Sequence, residues 1–192
     1  QSGSILIEAD SQDALARAVQ VSGGRVDIGT QGSNITINAS QSGGSGSLNA
    51  VIANGSKAIL NITGDTLSIT ADFIPPEGAE NISSNGIRAN FDASVTIDAK
   101  TAIESYSSSP TVGAVGISVS PNNVQTDGVY TDVRAATDDV LFKQDVQVSA
   151  VNTGEGIARG VRVWNAQVTT DDETDNLAGI TFEKDRSEEH TS

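Results

Sequence analysis

Short runs of alternating apolar and polar residues recur along this chain. One of them is "SVTIDA" (Ser94–Ala99), in which Val95 and Ile97 fall on one side and hydroxyl or acidic residues on the other. Alternation with a period of two predicts a β-strand that buries one of its faces. So short a strand cannot form a core alone, and its partners must come from elsewhere in the chain.

The "VTIDA" part of this run has four counterparts. They are "ILIEA", "ITINA", "LSITA" and "VQVSA", which start at Ile5, Ile35, Leu67 and Val146. With Val95 included, successive starts are 30, 32, 28 and 51 positions apart, and the last interval requires an inserted loop. Self-similarity at such a period marks a solenoid, whose repeats cover one another's apolar faces. The pattern predicts that Ile37, Ile69 and Ile97 stack in one elongated core.

A second kind of run begins with glycine followed by isoleucine or valine. It is found as "GIRA" from Gly86, "GISV" from Gly116, "GVRV" from Gly160 and "GITF" from Gly179. Gly86 and Gly116 are again 30 positions apart. Two kinds of run with nearly the same repeat length predict that equivalent strands pair from one coil to the next.

Three stretches can be written as coils of about three short strands each. They are "RAVQV", "RVDI" and "NITINA" (17–39), "NAVIA", "AILNI" and "TLSITA" (49–71), and "GIRA", "SVTIDA" and "TAIESY" (86–106). This arrangement predicts an all-β fold, a single-stranded parallel β-helix or solenoid. The rival fold is an immunoglobulin-like β-sandwich, which also uses short alternating strands but predicts no internal similarity at a fixed coil length.

Three segments interrupt the pattern. Asp10–Gln20 has apolar residues on one helical face after a capping residue, so a short helix there competes with a strand. Asp72–Ser84 contains Pro75 and Pro76, which predict a projecting loop because proline is excluded from central strands. A second excursion is expected between Ser120 and Val140.

Composition and charge narrow the class of protein. The chain has 192 residues, 19 Gly, 4% aromatic residues and no Cys, which suits thin stacked strands and excludes disulfides and thiolate metal sites. Its net charge is −14, so we expect the surface to repel nucleic acid and anionic membranes, with no Lys/Arg cluster to interrupt it. Acidity of this kind commonly serves solubility.

Few residues suggest chemistry. The acidic segment Thr169–Asn176 offers weak candidate ligands for Ca²⁺, without the spacing of an EF-hand. These candidates are Asp171, Asp172, Glu173 and Asp175. Asp98, Asp132 and Arg134 could serve a polysaccharide-cleaving β-helix, but nothing in the sequence brings them together. We therefore expect no catalytic residue, no cofactor and a solvated acidic loop.

The two ends of the chain are unlike its middle. It starts at Gln1 within a strand-like pattern, and the last seven residues, "RSEEHTS" (Arg186–Ser192), abandon the alternation. Those residues can be encoded by AGATCGGAAGAGCACACGTCT, which resembles a common sequencing-library adapter. We expect a β-helix fragment over residues 1–185 and a non-native tail over residues 186–192, which adds no strand and contains the only histidine, His190.

The repeats as a set resemble the passenger region of bacterial autotransporters. The segments that carry this resemblance are "SNGIRANFDASVTIDAK", "GDTLSITA", "SSPTVGAVGISVS" and "ARGVRVWNAQVTT". The resemblance implies a right-handed parallel β-helix that is displayed at the cell surface or secreted. It also implies a covalently linked outer-membrane β-barrel in the full-length chain. No catalytic motif of a protease or lipase passenger is found.

Three functions are compatible with these observations. The first is a surface adhesin or structural stalk, whose side loops contact host or community glycans or proteins. The second is a β-helix polysaccharide lyase or hydrolase, which needs carboxylates gathered on one face. The third is a phage tail spike or a surface-layer structural protein, which would show a trimer or lattice interface. The absence of visible chemistry favours the first, with no nucleic-acid partner.

Overall fold

The chain folds as an all-β solenoid of stacked parallel strands, as the computed structural model shows. The structure describes residues 3–44, 46–55, 57–79, 82–90, 93–108, 111, 113–120, 123–126, 129–132, 140–163 and 180–182. None of these residues is in a helix, so the described chain has no helix that could cross a membrane. The prediction of a parallel β-helix is confirmed, and the immunoglobulin-like sandwich is wrong because the paired strands of both large sheets are parallel.

The strands follow one another as the alternating runs predict. In chain order they are β1 (Ser4–Ser11), β2 (Arg17–Val21), β3 (Gly24–Ile28), β4 (Asn34–Ser42), β5 (Leu48–Asn54), β6 (Ala58–Ile74), β7 (Ser83–Asn90), β8 (Ser94–Ser107), β9 (Gly113–Ser120), β10 (Asn123–Thr126), β11 (Val129–Asp132), β12 (Val140–Phe142), β13 (Val146–Asn152), β14 (Ala158–Val163) and β15 (Ile180–Phe182).

The solenoid has three faces, each built from one strand of every coil. The first face stacks β2, β5, β7, β9 and β14. The second stacks β3, the first half of β6, the first half of β8, β12 and β15. The third stacks β1, β4, the second halves of β6 and β8, and β13. The three coils that the sequence predicts are therefore confirmed strand by strand.

The register corrects one part of the repeat. Ile37 and Ile69 are stacked on the third face as predicted, but the next residue of that column is Ile103, not Ile97. Ile97 pairs with Ile62 on the second face, although it is fully buried in the same core. The predicted alignment of "VTIDA" with third-face strands is wrong because strands of both faces turn alternate residues toward one core, which makes their local patterns alike.

The predicted equivalence of the runs that begin with glycine is confirmed for three of the four runs. Gly86, Gly116 and Gly160 occupy equivalent positions on the first face, since the residues that flank them are paired in register. The fourth run, "GITF", belongs elsewhere: Ile180 pairs with Val140 of β12 on the second face. Alternating side chains are common to all three faces. The glycine before Ile180 is therefore the one feature that groups this run with the first face, and it does not identify the face.

The first face requires glycine at Gly86 and Gly116 for steric reasons. A Cβ atom on Gly86 would collide with the Ile103 side chain and would lie 2.7 Å from the carbonyl oxygen of Gly116. A Cβ on Gly116 would collide with Val148 and would lie 2.6 Å from the carbonyl oxygen of Gly160. At Gly160, the nearest atom of the described residues to such a Cβ is 4.0 Å away. Close packing of successive coils thus explains the recurring glycine.

The segment Asp10–Gln20 contains no helix. β1 continues to Ser11 and β2 begins at Arg17, with Val19 and Val21 buried. The Ser11 hydroxyl accepts a hydrogen bond from the Ala14 amide at 3.1 Å, which makes a turn where the sequence suggests a helix cap. Burial of alternate residues against the core outweighs the helix propensity of the alanines.

The structure corrects both predicted loops. The first begins later than expected, and the second contains a pair of strands. At the first, β6 runs on to Ile74 with Phe73 fully buried, so the loop between β6 and β7 begins only at Pro75. At the second, β10 and β11 pair with each other as an antiparallel hairpin in a separate two-stranded sheet. This insertion explains why Thr101 and its partner Val146 are 45 positions apart, whereas Leu67 and its partner Thr101 are 34 apart.

Polar side chains inside the solenoid are hydrogen-bonded to neighbouring coils. The buried side-chain nitrogen of Asn85, Nδ2, donates to Asn49 Oδ1 at 3.1 Å and to the Leu48 carbonyl at 3.2 Å. The buried Ser84 hydroxyl donates to the Ala71 carbonyl of the preceding coil at 3.1 Å. Because a buried polar group is costly unless it is paired, these bonds favour the observed register.

Candidate binding face

The charged residues are segregated by face. The five strands of the first face contain four arginines and no aspartate or glutamate. The arginines are Arg17, Arg88, Arg159 and Arg162. We call the outward surface that they occupy the cationic face. The strands of the third face carry acidic residues instead, namely Glu8, Asp10, Asp72 and Glu104.

The coil register brings the arginines together from distant parts of the sequence. Arg88 pairs with Ser118, which in turn pairs with Arg162, so the two arginines are two strands apart in one column. Arg17 lies two strands from Arg88 in the opposite direction, on β2. The expectation that no Lys/Arg cluster interrupts the acidic surface is therefore wrong. The cluster is invisible in the linear sequence because 71 positions separate Arg17 from Arg88.

Hydrogen bonds hold the arginine side chains against the face. One terminal nitrogen of Arg17, Nη1, donates to Gln20 Oε1 at 2.9 Å. The Nε atom of Arg17 is buried and has no hydrogen-bond partner among the described residues. Arg88 Nε donates to Asn90 Oδ1 at 3.2 Å, and the Ser120 hydroxyl donates to the same oxygen at 2.7 Å. Asn90 thus orients the Arg88 guanidinium, and neither Arg17 nor Arg88 forms an ion pair with another described residue.

Burial and the positive charges of neighbouring arginines lower the pKa values of Arg88 and Arg162. Burial lowers the pKa of Arg88 below its ordinary value, and the positive charges of Arg162 and Arg17 lower it further. Burial also lowers the pKa of Arg162, with a smaller contribution from Arg159. Arg88 and Arg162 keep their positive charge at neutral pH despite these shifts, since arginine is not deprotonated in proteins. The cationic face thus concentrates positive charge on a chain whose net charge is −14.

Two open grooves run over this face and meet at Arg88. One, of about 360 Å³, includes Arg159 and Arg162 in its lining, and the other, of about 370 Å³, includes Arg17. Ser47 and Arg88 line both grooves, and none of the described residues that line either groove carries a carboxylate. The loop between β6 and β7 reaches the first groove at Ile82. The arrangement suits an elongated anionic ligand better than a small enclosed one.

The carboxylates that the sequence singled out form no comparable site. Asp98 lies where β8 turns from the second face to the third, and its Oδ1 accepts a hydrogen bond from Gln144 Nε2 at 3.1 Å. Asp132 ends β11, in a different sheet. Within the described ranges, no three His, Asp or Glu residues are placed to hold a metal ion.

Other residues that the sequence singled out lie outside the described residues. These are Arg134, the candidate calcium ligands Asp171, Asp172, Glu173 and Asp175, and the tail 186–192 with His190. The predictions made for them remain predictions.

Comparisons with known proteins identify no matching family model, and neither a curated protein nor a solved structure matches the chain. What the fold defines is the class: a parallel β-solenoid built from repeated coils.

Proposed function

We propose that this chain is part of a bacterial surface-displayed or secreted protein of the autotransporter passenger type, which acts as an adhesin or structural stalk. The observation that carries the proposal is the stacking of coils around one continuous core, with an open, charged face along its length. Parallel coils advance about 4.8 Å each, so a stack of them makes a stiff rod suited to carrying contacts away from a cell.

Binding would use the outer surface of the rod. The exposed loop residues Pro76, Glu77 and Gly78 lie on the segment that leads to the groove at Ile82. Loops on a rigid scaffold are common places for recognition. We propose host or community surface glycans or proteins as partners, and attachment to the outer membrane through a β-barrel in the full-length chain.

Binding arrays test the proposed adhesive function. Purified protein should bind a subset of immobilised glycans or extracellular-matrix proteins, and light scattering should show no trimer or lattice. A defined trimer would favour the tail-spike alternative, and an ordered lattice would favour a surface-layer component.

A polysaccharide-cleavage screen tests the proposed absence of enzymatic activity. We expect no release of oligosaccharides from acidic or neutral polysaccharides. Reproducible release that Asp98→Ala or Asp132→Ala abolishes would contradict the proposal and favour a β-helix lyase or hydrolase.

A further inference from the structure

We propose that the cationic face binds an acidic glycan, whose carboxylate or sulfate groups contact Arg17, Arg88 and Arg162 while the sugar chain lies along the solenoid axis. The inference deepens the proposed function and rests on its adhesive half. It assigns a ligand class to a face of the solenoid, where the sequence alone pointed to side loops.

The spacing of the arginines supports a ligand with regularly repeated charge. Arg17, Arg88 and Arg162 lie on the first, third and fifth strands of the stack. Neighbouring strands are about 4.8 Å apart, so Arg88 and Arg162, which share a column, are about 10 Å apart along the axis. Arg17 is offset from that column by three positions along its strand, because Gln20 is the residue of β2 in register with Arg88. The distance between Arg88 and Arg162 is similar to the length of a disaccharide unit. A glycan with one acidic group per disaccharide therefore presents two successive charges at the spacing of Arg88 and Arg162.

The chemistry of Arg88 suits carboxylate or sulfate recognition. Its Nε is engaged by Asn90, which leaves the two terminal nitrogens without a partner among the described residues. A guanidinium held in this way offers parallel N–H donors that match the two oxygens of a carboxylate or sulfate. An anion that binds there also relieves the repulsion that Arg88 experiences from Arg162 and Arg17.

The other lining residues fit a sugar chain. Hydroxyl and amide groups such as Ser47, Ser118 and Asn90 offer hydrogen bonds to sugar hydroxyls. Leu15 and Ile157, which are 48% and 54% exposed, border the two grooves and can pack against the apolar faces of sugar rings.

Nucleic acid fits this face poorly. Single-stranded nucleic acid binds by stacking bases on aromatic rings, and the five strands of the first face contain no aromatic residue. Duplex DNA is wide and carries one charge per about 1.7 Å, so the net charge of −14 opposes its approach. The acidic residues of the third face oppose a single glycan chain in the grooves less, because salt screens exposed charges beyond about 8–10 Å.

Calorimetric titration of the full chain tests the inference directly. The probes are hyaluronan oligosaccharides, with one carboxylate per disaccharide, and chondroitin sulfate oligosaccharides, with a sulfate in addition. We expect wild-type protein to bind at least one of them, with affinity that falls as salt rises. Arg88→Gln should weaken binding about tenfold or more, because it removes a charge-assisted bond. Arg88→Lys keeps the positive charge but loses the parallel N–H donors of the guanidinium. It should reduce the binding affinity less than Arg88→Gln does.

The control variant is Arg25→Gln, which removes the same charge from the second face, where Arg25 pairs with Asp27 at 2.9 Å. It should bind like wild type. Arg159→Gln, at an exposed position of the cationic face, should weaken binding while thermal unfolding stays unchanged, which separates binding from folding.

Three outcomes would overturn the inference. They are no binding of either acidic probe at low salt, an equal loss in Arg25→Gln and Arg88→Gln, and binding of duplex DNA as tight as that of the glycans. If arrays reveal a ligand whose affinity Arg88→Gln and Arg159→Gln leave unchanged, the adhesive function stands and this site fails. If arrays reveal no ligand, the adhesive function and the glycan site both fail. The proposed role as a structural stalk is then the part of the proposal that remains.

Discussion

Replacing Gly86 or Gly116 with alanine is expected to lower the free energy of unfolding by about 2–3 kcal/mol each, although a single methyl group is added. At both positions the new Cβ would collide with an apolar side chain, Ile103 or Val148, and would lie under 3 Å from a carbonyl oxygen of the next coil. The backbone oxygen cannot move without disturbing the pairing of β7 with β9, or of β9 with β14. Urea unfolding followed by circular dichroism measures the change.

Gly160→Ala is the matched control for these two variants. Gly160 occupies the same position on β14, the last described strand of the first face, but the nearest described atom to its new Cβ lies at 4.0 Å. Its free energy of unfolding should stay within about 1 kcal/mol of wild type, with a small gain possible from the stiffer unfolded chain. Equal losses at all three glycines would contradict the close approach of successive coils.

The second large effect is expected in the stacked core of the third face. Ile69 and Ile103 are register partners, both buried to 1% exposure or less. Ile69→Ala and Ile103→Ala should each lower the free energy of unfolding by about 2–5 kcal/mol, because each removes buried apolar atoms and leaves a cavity. Since the side chains are neighbours, the double variant should depart from additivity by about 0.5 kcal/mol or more.

A double-mutant cycle that pairs Ile69 with Val140 provides the control. Val140 is also fully buried, but it lies two coils further along and on the second face. Residues so far apart should give additive losses within about 0.5 kcal/mol. Stronger coupling for Ile69 with Val140 than for Ile69 with Ile103 would show that the register is wrong.

The sequence predicts the strands well because alternation is a local property. Three coils could be written from it, since each strand turns residues such as Val95, Ile97 and Ile103 toward the core within a few positions. The face on which a strand lies is not local. It depends on the corners between faces, and these differ: β6 passes one with an irregular register between Thr63 and Thr66. That is why the sequence pattern places "VTIDA" in the wrong column.

The cationic face could not be predicted from linear patterns. Arg17, Arg88 and Arg162 are isolated in the sequence, and each stands within an ordinary strand. Their proximity depends on the register of five strands of the first face. The signal was nevertheless present, because those strands lack acidic residues in a strongly acidic chain. Sorting charges by face after the coils are aligned would have revealed it.

Cysteine cross-linking tests most directly the central claim that the coil register gathers distant arginines on one face. The chain has no cysteine of its own, so any disulfide reports the introduced pair. The pairs Arg88→Cys/Ser118→Cys and Ser118→Cys/Arg162→Cys join register partners on adjacent strands. Adjacent strands place Cα atoms about 4.8 Å apart, within the range of about 4.4–6.8 Å that a disulfide spans.

The control pair is Arg88→Cys/Lys100→Cys. Lys100 is closer to Arg88 in sequence than Ser118 is, but it pairs with Thr66 where the third face begins. After mild oxidation, intact mass and non-reducing electrophoresis should show disulfides in both first-face pairs and none in the control. A disulfide in the control pair, or free thiols in both first-face pairs, would contradict the register on which the cationic face depends.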